Sequence, residues 1–193
     1  MTPWLSSALL RLESVSLWGD CLDADQLTQL FLSLSQTTAR DLRLRSLNIS
    51  GNDLSRLEAG QLARSVARLQ EIFLLNTRLT STQAEMILAE IASSSSPLRG
   101  LYLGDNNLAS VSPALLARAV GRLRTVSLDD TNLSSEQVTS VLSHIAQCDD
   151  TNLRNLDMMG MGVDINLLPL PADVREQLGA TFQVLDGCRL QLM

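Results

Sequence analysis

The chain has 193 residues, 45% of them hydrophobic, and a formal net charge of −6, which suits one domain or one short repeat array with a sizeable core. The acidic balance argues against a broad nucleic-acid footprint, since phosphate binding needs clustered positive charge. No apolar run reaches the ~18 residues that span a bilayer, so neither nucleic acid nor membrane is expected as a partner. The start, Met1-Thr2-Pro3-Trp4, lacks the charged and apolar regions of a signal peptide. Three cysteines, Cys21, Cys148 and Cys188, are too few and too scattered for a disulfide framework. These features predict a soluble, cytoplasmic protein. Leucine occurs 40 times and lysine never, so all 15 basic side chains are arginine. Codon bias and selection against lysine modification both account for that.

In chain order, Leu5 to Leu12 reads as a helix like that of Leu116 to Leu123. The array therefore starts abruptly, either because the chain is excised from a larger protein or because Trp4 and Leu5 fold over the first unit as a minimal cap. Excision is the favoured expectation, with the protein a monomer or a fragment of a larger chain. Six copies of LxxLxLxxNxL follow, beginning at Leu12, Leu44, Leu69, Leu98, Leu123 and Leu153. Their spacings are 32, 25, 29, 25 and 30 residues, so long and short units alternate. Residues 44–91 align without gaps on residues 98–145, with 18 of 48 positions identical.

Each copy predicts a short strand. Its leucines recur with period two and face one side, and stacked neighbours bury a continuous core. Asn52 and Asn106 stand where the chain leaves the strand, placed to satisfy buried backbone groups, and Thr77 and Thr131 alternate with them. Asp20 and Met161 depart from that pattern. Helices follow the strands. Asp23xxGln26, Thr80xxGln83 and Ser134xxGln137 are capping-box signatures. Apolar residues then recur at helical spacing: Met86, Ile87, Ile91, and Val138, Val141, Leu142, Ile145. After Met161 the period breaks, with a short helix over Ala172 to Leu178 and a last strand over Phe182 to Leu185.

These motifs resemble the leucine-rich repeat family, and the alternation of unit lengths resembles its ribonuclease-inhibitor type, found in the sensor arrays of NOD-like receptors. The resemblance implies an α/β fold, a leucine-rich repeat solenoid or horseshoe with a parallel sheet on the concave face and helices on the convex face. Residues 1–163 would form an array of about six strand-helix units, and residues 164–193 an irregular C-terminal cap. The cysteine-rich caps of extracellular members are absent.

Catalysis has little to work with. His144, the only histidine, lies beside Ile145 on a predicted helix and reads as solvated. Gly100 and Gly104 belong to a strand motif, not a phosphate loop. Asp129, Asp130, Asp149 and Asp150 read as loop charges. No metal spacing appears, and no enzyme activity, metal or cofactor is expected.

The open strand face is the informative surface. By alternation, the third motif column is Ser14, Ser46, Glu71, Gly100, Thr125, Asn155. The fifth is Ser16, Asn48, Phe73, Tyr102, Ser127, Asp157. The seventh is Trp18, Ser50, Leu75, Gly104, Asp129, Met159. Three of the six aromatics, Trp18, Phe73 and Tyr102, fall on this face. Leu75 joins Phe73 and Tyr102 in a predicted apolar patch across two adjacent units, and Asp129, Asp130 and Asp157 give an acidic stretch further along. With Trp18, Asn48 and Glu71 they make the expected partner-binding face, the anatomy of a protein-binding surface. The expected function is a non-catalytic protein–protein recognition module, as in a NOD-like innate immune receptor. The alternatives are a secreted pathogen-recognition protein, for which Asn48-Ile49-Ser50 and Asn132-Leu133-Ser134 match the glycosylation sequon, and a regulatory or substrate-adaptor subunit of a GTPase or ubiquitin ligase.

Overall fold

Six three-residue strands each bury one apolar side chain between two outward neighbours. They are β1 (Ser14–Ser16), β2 (Ser46–Asn48), β3 (Glu71–Phe73), β4 (Gly100–Tyr102), β5 (Thr125–Ser127) and β6 (Asn155–Asp157). Their central residues, Val15, Leu47, Ile72, Leu101, Val126 and Leu156, are all buried. The computed structural model describes residues 8–19, 22–38, 40–93, 96–148, 152–160, 167–185 and 189–192. The six strands form a parallel sheet in chain order. Helices α1 (Ala24–Gln36), α2 (Ala59–Val66), α3 (Ser81–Ser93), α4 (Pro113–Val120) and α5 (Ser135–Gln147) alternate with them, and α6 (Ala172–Thr181) follows β6. The first five alternate between 13 and 8 residues, so the unequal repeat spacing is taken up in helix length. Strand leucines and helix residues such as Leu30, Leu62, Ile87, Leu116 and Leu142 share one hydrophobic cluster.

The chain leaves every one of the six strands through a left-handed residue: Gly19, Gly51, Asn76, Asp105, Asp130 and Gly160, with φ between 51° and 90°. All six stand at the eighth motif position. Glycine, asparagine and aspartate are the residues that tolerate this conformation. Buried side chains then close the turns. Asn106 Nδ2 donates to the Leu74 and Leu103 carbonyls at 2.7 and 2.9 Å, and its Oδ1 accepts from the Thr77 and Leu79 amides. Asn52 serves the Leu17 and Ile49 carbonyls and the Leu22 amide. Thr77 and Thr131 hydroxyls donate to the Leu74 and Leu128 carbonyls.

All three capping boxes form. Two have a second use. Gln83 Nε2 donates to the Leu54 and Leu57 carbonyls, and Gln137 Nε2 to the Leu108 and Val111 carbonyls. Each buried glutamine therefore ties its helix start to the loop of the preceding unit. At the other helix ends, Arg68 donates to the Leu34, Ser35 and Thr37 carbonyls, and Arg122 donates to that of Ala92. A guanidinium there satisfies orphan carbonyls and opposes the helix dipole.

Several expectations are corrected. Leu12 is 52% and Met86 40% exposed: the first copy packs Leu10 inward instead, and Met86 falls outside the buried stripe of Ala84, Ile87, Leu88 and Ile91. His144 is not simply solvated: it is half-buried, with Nε2 3.6 Å from Cys148 Sγ. The C-terminal segment holds two strands, β7 (Phe182–Leu185) and β8 (Arg189–Leu192), in an antiparallel hairpin. The expected strand over Phe182–Leu185 does form and lies at the outer end of the sheet; what was not expected is β8, which joins it to β6, antiparallel to both. The expectations for Trp4, Leu5, Asp20, Cys21, Asp149, Asp150, Met161 and Cys188 fall outside the described residues.

Candidate interaction surface

Strand register places the anticipated residues in rows. Ser16, Asn48, Phe73, Tyr102, Ser127 and Asp157 are consecutive cross-strand partners, as are Ser14, Ser46, Glu71, Gly100, Thr125 and Asn155. Phe73 and Tyr102 stack, with ring centroids 4.1 Å apart and an interplanar angle of 9°. The Tyr102 hydroxyl donates to Glu71 Oε1 at 3.2 Å, and the Ser46 hydroxyl donates to Glu71 Oε2 at 3.0 Å. The Glu71 carboxylate is thus held from both sides. Burial, followed by the charge of Glu71 and the hydrogen bond to it, pushes the Tyr102 phenol up to about 12.

Gly100 gives this cluster its room. A Cβ there would lie 3.0 Å from Glu71 Cγ and 3.3 Å from Tyr102 Cε2. Gly104 does the same for the next strand, where a Cβ would lie 2.9 Å from Asp129 Oδ2. The two glycines are spaces already filled by neighbouring side chains, not spaces kept open for a partner.

Not every anticipated residue presents a free end. Asn48 Oδ1 accepts the Ser50 amide at 3.0 Å, Asp129 accepts the Ser127 hydroxyl, and Asp157 Oδ1 accepts the Met159 amide at 3.3 Å. Trp18 is 72% exposed. It does not touch the aromatic stack by register. Instead, Trp18 and Leu75 line one cleft of about 500 Å3 at the C-terminal ends of β1–β3, together with Ser50, Arg78 and Asp105. The face therefore has an aromatic stack in the middle of the sheet and, at its end, a mostly polar cleft to which Trp18 and Leu75 add apolar walls.

Of the cleft residues, Ser50 stands in the anticipated seventh column, whereas Arg78 and Asp105 were not anticipated. Their signal was present in the motif columns: the seventh, eighth and tenth positions line the turns leaving the strands. Arg78 bridges Asp53 at 3.1 Å, and the Ser55 hydroxyl and amide, ahead of Arg78, hold the Asp53 carboxyl below its usual range. Both ion-pair partners are well exposed, so the bridge contributes little to stability.

Among the described residues, no three His, Cys, Asp or Glu side chains converge to hold a metal ion, and no helix is long and apolar enough to cross a membrane. In comparisons with known proteins, no family model matches this chain and no curated protein matches it significantly.

Proposed function

We propose that the chain is a non-catalytic protein-recognition module, a leucine-rich repeat solenoid of ribonuclease-inhibitor type that takes a protein partner on the concave, open face of its sheet. The observation that carries this reading is the Phe73–Tyr102 stack, anchored by Glu71 on the open face of the sheet. Rigid, partly buried aromatics bind at low entropic cost, which is why such residues dominate interface energetics. Trp18 and Leu75 add a second anchor. The flanking acids Glu71, Asp129 and Asp157 favour a partner that brings a basic and apolar patch. The repeated motif and the unit lengths favour a cytoplasmic sensor array of the NOD-like receptor kind, or a related adaptor.

The test is a paired capture from cell lysate with the wild-type chain and a Phe73→Ser/Tyr102→Ser variant, both shown folded by circular dichroism. A protein kept by wild type and lost by the variant supports the reading. Equal capture by the two refutes it.

A further inference from the structure

The protein is acidic overall, yet seven of its 15 arginines gather along one edge of the sheet and the cleft at its end. The residue before each strand forms a row joined by backbone hydrogen bonds: Arg45 N–H to Glu13, Gln70 to Arg45, Arg99 to Gln70, Arg124 to Arg99 and Arg154 to Arg124. Four of the six positions are arginine and all six are exposed. At the β1–β2 end the row opens into a cleft of about 450 Å3 lined by Arg11, Arg40, Arg43 and Arg45, with Glu13 and Leu42.

The cleft is a built feature. The Arg43 and Leu44 amides donate to the Leu10 carbonyl, and the Arg45 and Ser46 amides donate to that of Glu13. The turn bearing Arg40 is closed by the Asp41 and Leu42 amides on the Thr38 carbonyl. The Asp41 carboxylate accepts the Thr38 hydroxyl at 2.6 Å. Among the described residues, the ion pairs are Arg64–Glu58 and Arg78–Asp53. None involves the four cleft arginines, although Glu13 lines the same wall. Arg68 and Arg122 show what a structural arginine does in this fold, capping helix carbonyls. No such contact is made by Arg11, Arg40, Arg43 or Arg45.

We propose that this cleft and the arginine row leading from it seat an acidic peptide segment of a partner protein, its aspartate or glutamate carboxylates gripped by the guanidinium forks. Arginine suits this role because its planar fork pairs with carboxylates through two parallel hydrogen bonds. The row fits in length. Strands lie about 4.8 Å apart, so Arg45 to Arg154 spans four steps, roughly 19 Å, matched by about six residues of extended chain. A single-stranded nucleic acid fits less well: no aromatic lines the cleft to stack a base, and Glu13 and Asp41 limit how far a polyanion could spread. The site is separate from the aromatic face, so the module would hold two different segments.

The experiment is fluorescence anisotropy with a labelled octaglutamate peptide and the full chain. Three variants remove equal charge: Arg11→Gln/Arg43→Gln/Arg45→Gln in the cleft, Arg99→Gln/Arg124→Gln/Arg154→Gln along the row, and Arg56→Gln/Arg64→Gln/Arg118→Gln elsewhere. Circular dichroism establishes that each is folded. The expected result is about tenfold weaker binding for the cleft variant, about threefold for the row variant and less than about twofold for the third, with affinity falling as salt rises from about 50 to about 300 mM. Absence of wild-type binding at low salt would overturn the proposal. So would equal losses in the cleft variant and the variant remote from it, which would mean general charge attraction. An octathymidylate oligonucleotide binding as tightly as the peptide would also overturn it, in favour of nucleic acid.

Discussion

Replacing Asn106 by alanine removes a side chain that is 2% exposed and joins two units. Its Oδ1 accepts from the Thr77 and Leu79 amides at 3.3 and 3.1 Å. Its Nδ2 donates to the Leu74, Leu103 and Gly104 carbonyls. Some of these groups keep another partner: Leu74 still accepts the Thr77 hydroxyl, and Gly104 still accepts the Asn76 amide. The Thr77 and Leu79 amides and the Leu103 carbonyl lose the partner described above. An orphaned buried group costs about 1–3 kcal/mol, so three cost at least about 3 kcal/mol, a large part of the ~5–15 kcal/mol that holds a domain together. In urea, with a slope of about 2–3 kcal/mol per molar, the midpoint falls by more than about 1 M. Asn106→Thr loses less, because threonine already holds this position at Thr77 and Thr131 and its hydroxyl reaches one carbonyl. Asn107→Ala is the control: its exposed side chain accepts only the Ala109 amide, and it loses less than about 1 kcal/mol. A loss under about 1 kcal/mol for Asn106→Ala, at unchanged slope, would refute the argument that this side chain satisfies the turn.

Tyr102 is the only tyrosine, so phenolate absorbance reports it alone, and its midpoint is expected at about 12 instead of 10.0. A phenol raised on folding contributes stability that is complete below the unfolded value and is lost as pH rises from about 10 through about 12. Chemical unfolding followed across that window should show the loss, and Glu71→Gln should bring the titration midpoint down without returning it to the ordinary value, because burial is the largest cause. Gly100→Ala should push Glu71 and Tyr102 apart, lower stability by about 1 kcal/mol and move the same midpoint toward 10.0; an unmoved midpoint would show that the cluster yields without separating. Gln137→Ala should cost about 2 kcal/mol, because two loop carbonyls lose a donor along with the helix cap. Gln26→Ala should cost about half that, since the bonds described for Gln26 are those of its capping box, and urea midpoints of the two variants compare them directly.

Much of the architecture was legible because it is local and repeated. Period two in LxLxx dictates which residues of Glu71-Ile72-Phe73 point outward, and the register carries that choice intact from β1 to β6. The capping boxes were legible for the same reason: three residues fix both partners. What escaped is non-local. Nothing in Phe182-Gln183-Val184-Leu185 or Arg189-Leu190-Gln191-Leu192 says which strand pairs with β6, since both segments have four residues with apolar side chains alternating about a glutamine, and pairing is a tertiary choice. The contact of His144 with Cys148 is the exception, an i to i+4 pair legible at helical spacing; what is non-local is the packing of that imidazole beside Gly121, where a Cβ would lie 3.0 Å away. The grip of Tyr102 and Ser46 on Glu71 is a matter of rotamers, although the columns already set the three side by side. The left-handed turns were legible and unread: the eighth column, Gly, Gly, Asn, Asp, Asp, Gly, contains only residues that accept positive φ.

The repeat also explains why net charge is a poor guide to partners here. The core consumes the leucine columns, the turns consume the eighth and ninth positions, and helix ends consume arginines such as Arg68 and Arg122. Outward on the sheet stand the second, third, fifth and seventh columns, and their charge differs. The second column carries Arg45, Arg99, Arg124 and Arg154 beside Glu13; the third carries Glu71, the fifth and seventh carry Asp157 and Asp129, and the eighth adds Asp105 and Asp130. Positions two and eight are six residues apart along an extended chain, roughly 20 Å. That exceeds the Debye length of ~8 Å at physiological ionic strength, so the two edges of the sheet barely sense one another. An approaching segment meets one edge or the other, not the sum of −6. The expectation drawn from composition concerns a broad nucleic-acid footprint, a polymer that must cover much of the surface, and does not extend to a short acidic segment that needs only the arginine edge.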